Sequence, residues 1–364
     1  MKVLVLVEDY PSKKSQALMY VHVRNQYYKK KGIQVTVLNF RTKENYTIDG
    51  VNVITLNEYK TNLKKYKDYI LIAHAPNIKH HYVFFKKYEK NFKNIMLFFH
   101  GHEVLKINKV YSKPYKYVKQ NAIKKIIQDI YDDIKLYIWR KYYTKIAYKS
   151  YFTFVSSWMY NEFLKWTKIK PEVIENRYSI TYNGIGKEFE NTCYDESKEK
   201  RYDFITIRAN LDGSKYSIDI VNELAKINPQ NTFLVVGKGK FFEYNEKAEN
   251  LEWMDKVLDH TEIIELLNKS KCALMPTRTD AQGLMMCEMA TFGIPLITSD
   301  IPVCYEIFDT FKNVALINNE NIKENNLQKL YEKIKGKKEK NRKYFYENTC
   351  NKEIEIFKNI LGGI

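Results

Sequence analysis

An α/β protein built from two doubly wound domains is predicted, on three observations. The chain has 364 residues, about the length of two ordinary domains. Near-continuous apolar runs alternate with helical periodicity in the order β-α-β in both halves. Residues 272–305 then run strand, acidic glycine loop, helix, glycine turn, strand, which is the grammar of a parallel sheet. A 45% hydrophobic fraction can supply two cores.

In the first half, Val3 to Val7 reads as a strand buried on both faces. The loop EDYPSKKSQALMY leads into a helix through Val23 and Tyr28 that stops at Gly32, and Ile33 to Phe40 is the next strand. Asp68 to Ala73 and Ile95 to Phe99 are two further strands, running into His74 and His100. Ligands of open parallel sheets bind at such strand ends. The first loop lacks G-x-G-x-x-G, and no G-x-x-x-x-G-K-[ST] occurs, so a dinucleotide fingerprint and a P-loop are excluded.

His100-Gly101-His102-Glu103 is the candidate site of this half. Two histidines at i, i+2 with an acid could begin a metal site, but no third ligand is obvious, so His100 is expected to contact substrate without metal. His102 and Glu103 are secondary candidates. His22 faces either the core edge or the acceptor side, and His80 and His81 read as solvated loop residues.

Residues 101–150 hold twelve Lys or Arg against four Asp or Glu, with eight Tyr and Trp139. Aromatics at an interface with lysines reaching phosphate head groups would suit a membrane surface. The plain alternative, compatible with the first, is one or two helices with a wet face. A strand-like pattern over Phe152 to Trp158 and a helix capped by Ser156 or Ser157 close the first domain.

Asn183-Gly184 is a turn signal, and the polar run to Lys200 is a linker. Phe204 to Arg208 opens a second sheet, followed by the helix Tyr216 to Asn228 and the strand Thr232 to Val236. Arg208 and Lys215 flank the first loop of this sheet, where they and helix amides could neutralise a diphosphate. Thr261 is the expected cap of the helix that precedes the strand CALMP. The loop after that strand carries Asp280, and its helix carries Glu288, a pair able to hold a hydroxyl-rich ligand. Gly283 and Leu284 bring backbone close to the same place. The last forty residues are charged and helical in period, with Tyr344, Phe345 and Phe357 available to pack back on the first domain.

The formal charge of +17 suits anionic lipid or an anionic ligand. Without a zinc pattern, arginine cluster or reader module, nucleic acid is not an expected partner. Five cysteines without a CxxC pair point to a reducing compartment. The N-terminus reads as a first core strand rather than a signal peptide, and no apolar window is long enough to span a bilayer.

The stretch PTRTDAQGLMMCEMATFGIPLITS, Pro276 to Ser299, resembles the Glu-x7-Glu region of family 4 glycosyltransferases of the GT-B fold. Asp280, Gly283, Glu288, Gly293 and Pro295 fall in matching places; the first acid is Asp instead of Glu, and the usual double-glycine loop after the first strand is replaced by SKKSQALMY. The resemblance implies two Rossmann-like domains facing across a cleft: an acceptor-side domain at 1–170, a linker at 171–200, a nucleotide-sugar domain at 201–335, and a helix at 336–364 crossing back to the first domain. It implies Glu288 on the donor ribose, Asp280 on the donor sugar, Arg208 and Lys215 on the diphosphate, Gly283 and Leu284 presenting amides, and His100 near the reacting centre. The implied activity is retaining, metal-independent hexosyl transfer, with a nucleotide sugar (a UDP-sugar first) as substrate and no cofactor. The acceptor would be polyprenyl-diphosphate-linked or a glycan, in bacterial capsule or surface-polysaccharide assembly. The expected place is the cytoplasm, with peripheral attachment to the inner face of the membrane. An epimerase of nucleotide sugars on the same fold, or a non-enzymatic membrane scaffold, are the alternatives.

Overall fold

A computed structural model describes residues 1–12, 17–119, 121–337 and 339–362. Part of the first loop, residues 13–16 of the SKKSQALMY stretch, therefore lies outside the described residues. The chain forms two compact units: Met1–Lys106, Ile130–Gly184 and Phe345–Ile364 in the first, Ile107–Asp129 and Ile185–Tyr344 in the second.

The first unit is built on the strands β1 (Lys2–Val7), β2 (Gln34–Asn39), β3 (Tyr46–Ile48), β4 (Val51–Ile54), β5 (Ile70–His74), β6 (Ile95–Phe99), β7 (Ser150–Phe154) and β8 (Tyr178–Ile180). Their order is β3-β4-β2-β1-β5-β6-β7-β8, parallel throughout except for the β3–β4 hairpin. β5 and β6 are buried along their whole length, as their unbroken apolar sequences require. The terminal helix Tyr346–Gly362 packs on the helix Met19–Lys30, and Cys350, Ile354 and Phe357 join the core of β1 and β2.

Six strands carry the second unit: β9 (Tyr202–Asn210), β10 (Phe233–Lys238), β11 (Leu251–Met254), β12 (Ser270–Met275), β13 (Leu296–Ser299) and β14 (Val314–Ile317). All pairs are parallel and the order is β11-β10-β9-β12-β13-β14, the doubly wound order that reverses between its first and fourth strands. The reversal lies between β9 and β12, and open parallel sheets bind ligands at the carboxyl ends of the strands at such a point.

Three boundaries differ from the sequence reading. Residues 171–184, read as linker, stay with the first unit because β8 extends its sheet. Residues 107–129 belong to the second unit: Tyr115 packs on Phe241 at 4.9 Å, and the Tyr115 and Tyr117 hydroxyls donate to Asp219 and Asp212. Tyr344, expected against the first domain, is buried in the second unit with its hydroxyl on the Ile307 carbonyl. The cap ahead of CALMP also moves. Asp259, not Thr261, caps the helix His260–Asn268 through a capping box with Glu262, whereas Ser156 caps Ser157–Thr167 as expected.

Candidate functional site

The β9–β12 reversal gathers most of the residues singled out in the second half. Arg208 lies near the carboxyl end of β9 and is buried; its Nη2 donates to the carbonyls of Met275 and Pro276 at the end of β12. Burial disfavours its charge and lowers its pKa. The backbone at this point depends on Gly237, whose φ is +150°: a Cβ there would stand 2.0 Å from the Arg208 carbonyl oxygen.

Arg208 and Lys215 share one aromatic ring. The Arg208 guanidinium lies 5.1 Å from the Tyr216 centroid and the Lys215 ammonium 4.7 Å from it, with Tyr111 at 5.3 Å from Lys215. Such contacts hold cations without neutralising them, leaving their charge for a ligand. The loop carrying Lys215 is tied to the loop after β12 through its own carbonyl, which accepts from the Arg278 amide at 2.8 Å and the Thr277 hydroxyl at 3.0 Å. Arg278 is engaged differently: its guanidinium makes two bonds to Asp219, which raise its pKa. It fastens the site rather than offering charge to it.

Asp280 organises the next loop. Its Oδ1 accepts from the amides of Ala281, Gln282 and Gly283, as expected of a short carboxylate at a turn. Gly283 then opens the helix Leu284–Phe292 at φ 68°, where a Cβ would meet Met286 Cε at 2.1 Å. The N-cap Gly283 has no side chain to offer this helix, and its own amide is taken by Asp280 Oδ1, in contrast to the expected exposed amide.

Glu288 sits one turn into that helix and is only 3% exposed. Its Oε1 accepts from the Gly186 amide at 3.0 Å, with His260 Nε2 at 3.9 Å. His260 Nδ1 in turn contacts Glu188 at 3.0 Å. Burial pushes the Glu288 carboxyl up to about 7; the His260 charge and the Gly186 amide pull it down, and Glu188 pushes it up again. Buried carboxyls shifted in this direction are enriched at functional sites.

In the first unit, His100 follows β6, half-buried, with its Nε2 3.2 Å from His74 Nδ1 and the Tyr20 ring at 4.9 Å. Burial, then the Arg24 charge, lowers it to about 3, so it is a neutral imidazole at physiological pH. Glu103 is buried and accepts the amides of His100 and Gly101, which makes it the organiser of this turn. His102 is exposed. His22 is resolved to the interior: it is buried between the Tyr10 hydroxyl at 2.9 Å and Asp49 at 2.8 Å. His81 corrects the sequence reading, for it is fully buried at the Leu6 carbonyl and held down to about 4 by burial. His80 is tied to Glu8 at 2.6 Å rather than solvated. Among the described residues, no three His, Cys, Asp or Glu side chains converge as a metal-ligand set, and no helix is long and apolar enough to cross a membrane.

Sequence reasoning missed Tyr216, Gly186 and His260. Tyr216 follows Lys215 directly and could have been flagged. The other two are brought to Glu288 only by folding, from 102 and 28 positions away.

The profile of the family described as "Glycosyl transferases group 1" matches residues 204–334. The O-antigen biosynthesis glycosyltransferase WclY of Escherichia coli is 30% identical over 146 residues, covering 36% of this chain and 40% of that protein. The match thus spans about two fifths of that relative's length. A glycosyltransferase from Rickettsia africae superposes with a TM-score of 0.68 at 15% identity, over 100% of this chain and 99% of the other. HepE of Anabaena, solved with UDP and glucose, gives 0.66 at 12% identity over 98% and 99%. At these identities the structural likeness speaks for the fold, which is GT-B. The likeness to the glycosyl transferases group 1 family is carried by residues 204–334.

Proposed function

We propose that this protein is a retaining glycosyltransferase that moves a sugar from a nucleotide-sugar donor to a lipid-linked or glycan acceptor in cell-surface polysaccharide assembly. One observation carries the reading. Two ring-held cations, a helix N-terminus and a buried carboxylate belong to the loops and helix at the strand reversal of the second unit. That set fits a ribose linked to a diphosphate. A UDP-sugar and a surface glycan are supported by the names of relatives: one is an O-antigen transferase, another was solved with UDP and glucose.

In this reading Glu288 accepts the ribose hydroxyls. Arg208, Lys215 and the Leu284 amide at the helix N-terminus take the charge of the departing diphosphate, without a metal. The bond from the anomeric carbon to the diphosphate oxygen breaks, the acceptor hydroxyl oxygen bonds that carbon, and its proton leaves with the diphosphate. Asp280 contributes by fixing the loop that faces the donor sugar. His100 serves as a neutral hydrogen-bonding group on the acceptor side. Peripheral attachment to the inner membrane face follows from a lipid-linked acceptor.

The test is transfer of labelled sugar from a UDP-sugar to a polyprenyl-diphosphate-linked glycan, with the anomer of the product read by NMR. Acceptor-dependent transfer with retention is expected. Epimerised donor in the absence of acceptor would replace the reading with an epimerase, and an inert protein with a scaffold.

Glu288 also predicts a pH dependence. Ribose hydroxyls donate to the ionised carboxylate, while the free carboxyl is raised to about 7. Donor affinity should therefore weaken as pH falls through neutrality, by roughly 30-fold from pH 8 to 5.5 if the unbound group titrates near 7. His260 and Glu188 face the same group, so E288Q is the control. Its residual affinity should lose this pH step in calorimetry; a wild-type affinity flat over that range would remove Glu288 from the ribose.

A further inference from the structure

The helix Ala122–Ile146 turns two apolar faces outward and inward at once. Its inner face buries Leu136, Trp139, Tyr143 and Ile146. On the other side Ile123, Ile126, Ile127, Ile130 and Ile134 are each 55–66% exposed. Tyr131 and Tyr137 stand in the same row, 46% and 56% exposed. At 100° per residue these seven side chains occupy one sector of roughly 140° along four turns. An exposed apolar strip of that length is not left bare by a soluble helix without a reason.

The charges around it are sorted. Of the helix acids, Asp132 is buried and paired with Lys135, Asp133 is bonded to Lys106, and Asp129 accepts from Asn108. Lys124, Lys125, Arg140, Lys141 and Lys145 remain exposed. The exposed charge on this helix is thus mostly basic, beside a strip of isoleucine and tyrosine, in a chain of net charge +17. A seam for a second copy of the chain would be narrower, with charges of both signs beside it to pair across. Here the sector is broad, tyrosine sits within it and the exposed charge is mostly of one sign.

We infer that this face seats at the boundary between head groups and acyl chains of a bilayer rich in anionic lipid, with the helix lying in the membrane plane. Isoleucines would enter the acyl region, tyrosines would stand at head-group level, and lysines would reach lipid phosphates. The inference deepens the lipid-linked acceptor proposed above and rests on it only for its purpose, since the surface itself requires no sugar.

The experiment is co-sedimentation of the full chain with vesicles of phosphatidylcholine plus phosphatidylglycerol, and with phosphatidylcholine alone, without donor or acceptor. The variant is Ile127→Glu, Ile130→Glu and Ile134→Glu together; all three positions are exposed, so its melting temperature should hold. Wild type is expected to bind the anionic vesicles, more weakly at high salt, and the variant to lose about tenfold or more in partitioning. Wild type that ignores anionic vesicles, or a variant that binds them equally, overturns the inference. So does a wild-type dimer, seen by light scattering, that the variant converts to a monomer while vesicle binding is absent. Vesicle binding that persists in E288A, where sugar transfer is lost, separates this surface from the transferase reading.

Discussion

Glu288→Ala is expected to abolish donor binding in a protein that still folds. A carboxylate that accepts two ribose hydroxyls contributes about 3–6 kcal/mol through charged hydrogen bonds, on the order of 10²–10⁴-fold in Kd. The substitution should leave the fold standing because the native site disfavours the charge it removes. Glu288 is raised to about 7 by burial, so between its ordinary range near 4.5 and about 7 the folded state holds a proton that the unfolded state has released. Stability therefore falls as pH rises through that window, and at pH 8 the ionised carboxylate is a cost to folding. What Ala loses is the acceptor for the Gly186 amide, about 1–3 kcal/mol. Calorimetry with a UDP-sugar, beside circular dichroism, checks both halves of the statement. Wild-type affinity in a folded E288A protein would remove the residue from the site.

The second large effect concerns stability. Arg24 and Glu353 are both fully buried, joined by bonds of 3.0 and 2.9 Å from Nε to the two carboxylate oxygens. Tyr28 donates to the same carboxylate, Arg24 also reaches Asn183, and its guanidinium lies 5.2 Å from the Phe98 ring. Burial works against the Arg24 charge, but Glu353 more than offsets it, so the guanidinium stays ionised. Glu353→Ala would strand that charge in the first unit, between the helix Met19–Lys30 and the terminal helix. A loss of about 3–5 kcal/mol is expected in denaturant unfolding. The double variant R24M/E353L should recover most of it, since apolar groups of similar volume need no partner. A loss below about 1 kcal/mol for E353A would mean the pair is solvated in solution.

The parallel sheets were legible because strands buried on both faces read as unbroken apolar runs. β1, β5 and β6 are such strands, and residues 272–305 carried the loop and helix of the site in one contiguous stretch. The path of the chain between units was not legible. Tyr115 and Tyr117 sit in a basic stretch that looks like the rest of residues 101–150, and only their contacts with Phe241, Asp219 and Asp212 place them in the second unit. His81 looked solvated because its neighbours are polar, yet a wide helical turn rotates it beneath the Leu6 carbonyl. The buried Arg24–Glu353 pair joins residues 329 positions apart, a separation no local pattern records. The isoleucine row was present as helical periodicity, but periodicity alone marks an apolar face without saying whether protein covers it.

The most direct test is thermal shift of the purified chain against UDP-, GDP-, ADP- and dTDP-sugars, with E288A in parallel. Stabilisation by one nucleotide class, UDP first, that disappears in E288A is the predicted result. Absence of any shift with all four, or a shift that E288A retains, would contradict a nucleotide-sugar site at the β9–β12 reversal.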